Sequence, residues 1–186
     1  RDAYQPVIHY DNMAHEFVRG IADYVHASGK LVMANSPLLG HCLFAPWLDV
    51  MGTETDWNRN NTWRPMAGEE MIYYRAICRR KPFCFLMNTK WENFTHTLCE
   101  KYMQRCLAYA MFPGFFSPTA SMEGHYFKNP ALVARDRPLV KKYLPLIKLA
   151  ATAGWEPLTL ALSSNPALLI ERYGNEYLTV FNDGGK

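Results

Sequence analysis

The sequence predicts an α/β fold over residues 1–154, in which helices alternate with short buried strands. Segments with an apolar residue at nearly every fourth position alternate with short runs that are almost wholly apolar. Gly or Pro separates each segment from the next. Runs without polar alternation are typical of parallel strands that helices cover on both faces. After Gly154 the helical period is lost and only strand-like segments follow.

The first helix is predicted over residues 12–28 and ends at Gly29. Its apolar stripe consists of Met13, Phe17, Ile21 and Val25. The run "KLVMANSP", 30–37, is predicted to be a buried strand. A second buried strand, "LDVMG", follows after a short connection. Asp49 lies at the start of this strand, where we expect its carboxylate to have a structural role.

The alternation then repeats. Residues 66–80 have helical spacing and Pro82 closes this helix, after which 83–89 is the next buried strand. The following helix is predicted to begin with Asn93 as its cap. It leads into the segment "YAMFPGFFS", 109–117, which we interpret as a fourth short strand with a loop.

The last helical segment has Asn129 as its predicted cap and Pro130 at its first position. We expect Pro138 to restart it as a second helix before Gly154. Residues 155–186 form three strand-like segments, separated by Ser-Asn-Pro and Gly-Asn, which indicates the beginning of a β-sandwich-like domain.

Four strand–helix units are half of a (β/α)8 barrel or the whole of a small doubly wound sheet. No strand is followed by a Gly-rich phosphate loop of the G-x-G-x-x-G or G-x-x-x-x-G-K-[ST] type, which removes the usual reason to choose a nucleotide-binding sheet. We therefore predict that 1–154 is the C-terminal half of a TIM-type barrel and that 155–186 begins an all-β accessory domain.

Composition restricts the function. The 186 residues are 49% hydrophobic and 20% charged, which is typical of a folded domain. A net charge of +3, from scattered basic residues, argues against a nucleic-acid partner. No apolar run reaches the ~18 residues of a membrane span. The five cysteines contain no C-x-x-C pair and are interpreted as buried apolar residues, so neither a metal nor a cofactor is predicted.

Polar and aromatic residues follow the predicted strands, where a barrel carries its chemistry. The candidate site residues are Asn35, Glu54, Asp56, Trp57, Asn88 and Trp91. Glu54 is the candidate catalytic carboxylate, which would protonate the leaving oxygen of a glycosidic bond.

The remaining five would bind the substrate. Asn35 and Asn88 have donors and acceptors that suit sugar hydroxyls. Asp56 would bind hydroxyls or tune Glu54, and Trp57 and Trp91 would stack under sugar rings. For both indoles, burial beneath loops is the alternative.

With these residues in view, one resemblance emerges. The ordered segments "KLVMAN", "LDVMGTETDW", "FCFLMNTKW", "AMFPGFFS", "AGWEPLT" and "ERYG" resemble the second half of the catalytic barrel of large glycoside hydrolases. The nearest likeness is to uncharacterised relatives of the endo-α-N-acetylgalactosaminidase and α-galactosidase type. The resemblance implies a carbohydrate substrate, Glu54 as acid/base, and an aspartate nucleophile in an N-terminal barrel half upstream of Arg1.

Three hypotheses follow. The chain is part of a glycoside hydrolase, a carbohydrate-binding or degenerate barrel protein without catalysis, or a small α/β interaction domain with an unrelated function.

Overall fold

The computed structural model describes residues 10–35, 39–118 and 125–182, with 39–41 described in backbone only. The helices are α1 (Tyr10–Ala27), α2 (Gly68–Cys78), α3 (His96–Ala108) and α4 (Pro130–Ala153). The strands are β1 (Met33–Asn35), β2 (Val50–Thr55), β3 (Phe83–Met87), β4 (Trp155–Glu156), β5 (Leu168–Tyr173) and β6 (Tyr177–Asn182). They form two sheets, a parallel one in the order β1-β2-β3 and an antiparallel one in the order β4-β5-β6.

The predicted half-barrel is wrong. The described residues form a small α/β protein with a three-stranded parallel sheet and a separate three-stranded antiparallel sheet. The segment predicted as a fourth parallel strand makes only isolated bridges to β3, at Phe112 and Phe115. Pro113 has no N–H to give to a ladder, and a Cβ on Gly114 would lie 1.6 Å from the Phe85 carbonyl oxygen. Continuous pairing therefore fails between the two bridges.

The core lies between the parallel sheet and helices α2 and α3. Phe83, Phe85 and Met87 alternate along β3 with less buried residues, and all three are completely buried. They pack with residues such as Met71 of α2 and Tyr102 of α3. Burial of a side chain of this size contributes about 1.5–3 kcal/mol, so this layer fixes the position of β3 and of the residues at its end.

Helix α1 forms where it was predicted, but its apolar stripe does not face the core. In the described part of the chain, Met13 and Phe17 are 55% and 69% exposed. The helix instead packs through its other side, where Ala22 is buried and His15 accepts a 2.8 Å hydrogen bond from Trp47 Nε1. Apolar spacing identified the helix correctly, but it did not identify the face that packs.

The ends of the later helices differ in part from the prediction. Thr95, not Asn93, caps α3, since its hydroxyl accepts from the Leu98 N–H at 3.2 Å. Asn129 caps α4 as expected, and its side chain accepts from two backbone N–H groups of the first turn. Pro138 does not restart the helix, because α4 runs unbroken from Pro130 to Ala153.

The strand-only segment forms the antiparallel sheet, which begins at Trp155, directly after the predicted boundary at Gly154. The sheet is anchored to the end of α3, because the hydroxyls of Tyr173 and Thr179 both donate to the Ala108 carbonyl, at 2.9 and 2.7 Å. Within the described ranges, no helix combines the length and the apolarity needed to cross a membrane.

Candidate functional site

The carboxyl ends of the three parallel strands bring Asn35, Glu54 and Asn88 into contact. Asn35 ends β1 opposite Gly52 of β2, and Glu54 lies opposite Leu86 of β3. The Asn35 Nδ2 donates to Glu54 Oε1 at 3.0 Å, and the Asn88 Nδ2 donates to Glu54 Oε2 at 3.1 Å. We call these three residues the carboxyl-edge cluster. Each oxygen of one exposed carboxylate thus has its own amide donor.

The backbone explains why Asn88 reaches Glu54. Beyond the end of β3, the Asn88 N–H donates to the Thr55 carbonyl at 2.7 Å and continues the pairing by one residue. This bond holds the half-buried Asn88 side chain at the edge of the sheet. Its Oδ1 is buried and has no hydrogen-bond partner among the described residues.

Two more buried polar groups lie at the same edge. The hydroxyls of Thr89 and Ser117 are buried without a hydrogen-bond partner in the described part of the chain. Thr89 directly follows Asn88, and Ser117 comes two residues after Phe115, which is bridged to Met87. An unpaired buried polar group costs about 1–3 kcal/mol, and such groups are typical of functional sites. Sequence analysis does not single out either residue, because Thr and Ser are common wherever a strand ends.

Trp57 and Trp91 do not line the edge. Each indole is only 1% exposed. Trp57 makes edge-to-face contacts with Phe85 and Tyr102, at centroid distances of 5.1 and 5.2 Å. Trp91 donates its Nε1–H to the Phe116 carbonyl. The prediction that these rings stack under a sugar is wrong, since both faces are covered by protein, and burial beneath loops is their actual role.

Asp56 lies beyond β2 in a polar cavity of about 490 Å3, which we call the Asn-rich pocket. The lining residues are Asp56, Asn58, Arg59, Asn60, Asn61, Lys90 and Pro118. The half-buried Asp56 carboxylate accepts from the Asn58 N–H at 3.0 Å through Oδ1. The predicted role of Asp56 in binding hydroxyls stays a prediction.

Asp49 lies at the opposite end of β2 and has the structural role that its position predicts. Its carboxylate accepts from the Val32 N–H at 2.7 Å and contacts the His26 ring at 2.7 Å. The backbone hydrogen bond from Val32, followed by that from His26, lowers the pKa of Asp49 below its ordinary value. Asp49 therefore ties β1 and α1 to the amino end of β2.

A larger cavity, of about 570 Å3, lies far from this chemistry between α4 and β6. Its walls include Leu146, Leu149, Leu178 and Val180. We call it the apolar cleft. It contains no carboxylate, and most of its lining side chains are apolar, so we place the polar site at the carboxyl edge instead.

The cysteines and the possible metal ligands are the remaining reactive groups among the described residues. All five cysteines are free, and burial raises the pKa of Cys78 to about 12, so this thiol is not a nucleophile at neutral pH. Within the described ranges, no group of three or more His, Cys, Asp or Glu side chains is arranged to hold a metal ion.

Comparison with known proteins finds no family model, no curated protein and no solved structure that matches this chain. The assignment of a function therefore depends on the chemistry of the carboxyl-edge cluster and of the pocket beside it.

Proposed function

We propose that this chain binds carbohydrate at the carboxyl edge of its parallel sheet and that Glu54 is the acid/base residue of a glycosidase. The observation that carries the proposal is the pair of hydrogen bonds from Asn35 and Asn88 to the two oxygens of Glu54. Three side chains from three strands converge on one point of the surface. The bonds fix the carboxylate and keep it exposed to a ligand.

The chemistry of the cluster suits a sugar. Sugar hydroxyls both donate and accept, and the cluster has a carboxylate that accepts and amides that do both.

The cluster also suits one step of glycoside hydrolysis. In that reaction, the acid/base carboxylic acid gives its proton to the glycosidic oxygen as the C–O bond breaks. The resulting carboxylate takes a proton from water, whose oxygen bonds to the sugar carbon. Both amides donate to Glu54, which is the pairing that an ionised carboxylate makes. The geometry therefore supports the second half of this cycle.

A second candidate function is carbohydrate binding without catalysis. Hydrolysis needs another carboxylate as nucleophile or base, roughly 5–9.5 Å from the first. The two side chains that contact Glu54 are both amides, not carboxylates. Asp56 is the next carboxylate along the chain, and its Oδ1 already accepts from Asn58.

The Glu54→Gln variant separates the two functions. If the chain is a glycosidase, we expect this variant to lose activity by about 100-fold to 10 000-fold, because the carboxyl proton is no longer available. Binding of the same glycan should weaken far less, since a glutamine of similar shape still occupies the position. Release of reducing sugar from a glycan panel measures the activity, and titration calorimetry measures the binding.

Glu176→Gln is the matched control, because Glu176 is exposed in the antiparallel sheet's turn, away from the cluster. It should leave both quantities unchanged. Full activity in Glu54→Gln would refute the catalytic role. Binding without turnover by the unmodified chain would instead establish the non-catalytic function.

A further inference from the structure

We propose that the Asn-rich pocket binds an anionic group of the ligand, so that the preferred carbohydrate is acidic, with a carboxylate or a sulfate substituent. This inference rests on the proposed carbohydrate-binding function and adds a substrate class to it. It is argued from the charges and the loop geometry of the pocket, whose residues are not part of the carboxyl-edge cluster.

The pocket carries an excess of positive charge. Arg59 and Lys90 line it, and Asp56 is the only carboxylate among the lining side chains of the described residues. No ion pair or side-chain hydrogen bond is found for either cation within the described part of the chain. A guanidinium and an ammonium at one cavity are suited to a carboxylate or a sulfate.

The Asn-rich pocket is formed by the segments that follow β2 and β3, directly after the residues of the carboxyl-edge cluster. Asp56 comes two residues after Glu54, and Lys90 comes two residues after Asn88. Two residues span at most about 7 Å of chain. A ligand whose hydroxyls contact the carboxyl-edge cluster can therefore place a substituent of the same or the next sugar ring in the pocket.

The loop that presents Arg59 has a defined backbone. Asn60 and Asn61 are both left-handed, with φ of 55° and 58°, a conformation that Asn tolerates better than most residues. The Thr62 N–H closes the turn by donating to the Arg59 carbonyl at 3.1 Å. At its start, Asn58 is 4% exposed and its Nδ2 donates to the Asn93 carbonyl at 3.4 Å. The amide-rich wall is thus held in place before any ligand arrives.

Charge is what separates an acidic from a neutral ligand here. The asparagine amides hydrogen-bond neutral hydroxyls and anions alike, so they do not discriminate strongly. A charge-assisted bond to Arg59 or Lys90 is worth more than a neutral one. We therefore expect about tenfold tighter binding of an acidic glycan than of its neutral counterpart, and the cations are the source of this preference.

The test uses matched glycans on the full chain. A printed array would carry neutral oligosaccharides beside their uronic-acid and their sulfated counterparts, and calorimetry would measure the dissociation constants of the pairs that bind. The variants are Arg59→Gln and Lys90→Gln. The control is Arg64→Gln, since Arg64 is exposed, close in sequence and outside the pocket, and its loss changes the net charge by the same amount.

The inference predicts that the unmodified chain prefers the acidic member of a pair and that Arg59→Gln and Lys90→Gln each remove most of this preference. Binding of the neutral member should be unchanged, and Arg64→Gln should behave as the unmodified chain does. The uronic-acid and sulfate arms show which anion the pocket takes.

Equal binding of acidic and neutral glycans would overturn the inference and leave the proposed function intact. An equal loss in Arg64→Gln would also overturn it, because the effect would then come from overall charge. If no glycan binds, both the proposed function and the inference fail.

Discussion

Trp57→Ala is expected to lower the free energy of unfolding by about 3–5 kcal/mol, the cost of removing a large aromatic side chain from a core. The Trp57 ring is 1% exposed and contacts Phe85 and Tyr102, so truncation leaves a cavity between β3 and α3. Urea unfolding, followed by circular dichroism, measures the change.

Trp57→Phe is the matched variant. It keeps an aromatic ring and removes an indole Nε1–H that is buried without a partner among the described residues. We expect it to cost much less than Trp57→Ala. If instead Trp57→Ala unfolds at the same urea concentration as the unmodified chain and loses glycan binding, the ring contacts the ligand, and our assignment of Trp57 to the core is wrong.

Asp136→Asn is expected to lower the free energy of unfolding by about 3 kcal/mol, the lower part of the range for breaking a buried ion pair. Asp136 of α4 is completely buried. Its Oδ2 lies 2.7 Å from Arg135 Nη2 and accepts from the Tyr126 hydroxyl at 3.2 Å, while Oδ1 lies 3.1 Å from His96 Nδ1 of α3. The partial exposure of Arg135 and His96 keeps the cost from being larger.

The same carboxylate makes stability depend on pH. Burial acts to raise the pKa of Asp136, but hydrogen bonds from Arg135, His96 and Tyr126 outweigh it and lower the pKa below the ordinary 3.8. A lowered pKa means that the stabilisation is complete above pH 3.8 and is lost as the pH falls through the folded-state value. The difference between the unmodified chain and Asp136→Asn should therefore shrink below about pH 3.8.

The control for Asp136 is Glu100→Gln. Glu100 pairs with Lys142 at 2.8 Å, but both side chains are substantially exposed, so its loss should cost at most about 1 kcal/mol. Equal costs for the two variants would show that the Asp136 network contributes no more than an exposed ion pair. A difference between Asp136→Asn and the unmodified chain that does not shrink at any pH below 3.8 would show that the stabilisation does not depend on the charge of Asp136.

The sequence predicted individual elements better than their assembly. Helical spacing and short apolar runs identified α1 to α4 and the strands of both sheets. The barrel prediction failed because it counted 109–117 as a strand, although Pro113 and Gly114 interrupt the backbone pairing there. The exposed apolar stripe of α1 is another case in which the element was predicted but its packing was not. Periodicity identifies an apolar face of a helix, but it does not show what that face packs against.

The cluster was predictable because it depends on topology alone. Parallel neighbouring strands end at one edge, so the residues that follow them, Asn35, Glu54 and Asn88, had to be close. Burial of Trp57 and Trp91 was not predictable, because an indole at a strand end suits a sugar face and a core equally well. The unpaired hydroxyls of Thr89 and Ser117 became visible only with coordinates.

The most direct test of the carbohydrate site is a two-dimensional NMR titration of the 15N-labelled chain with a glycan that binds on the array. Our account predicts that the amide resonances of Asn35, Glu54, Asn88 and Thr89 shift together and saturate with one dissociation constant, while those of Leu178 and Val180 in the apolar cleft remain unchanged. Shifts confined to the apolar cleft, or no shifts with any glycan in the panel, would contradict it.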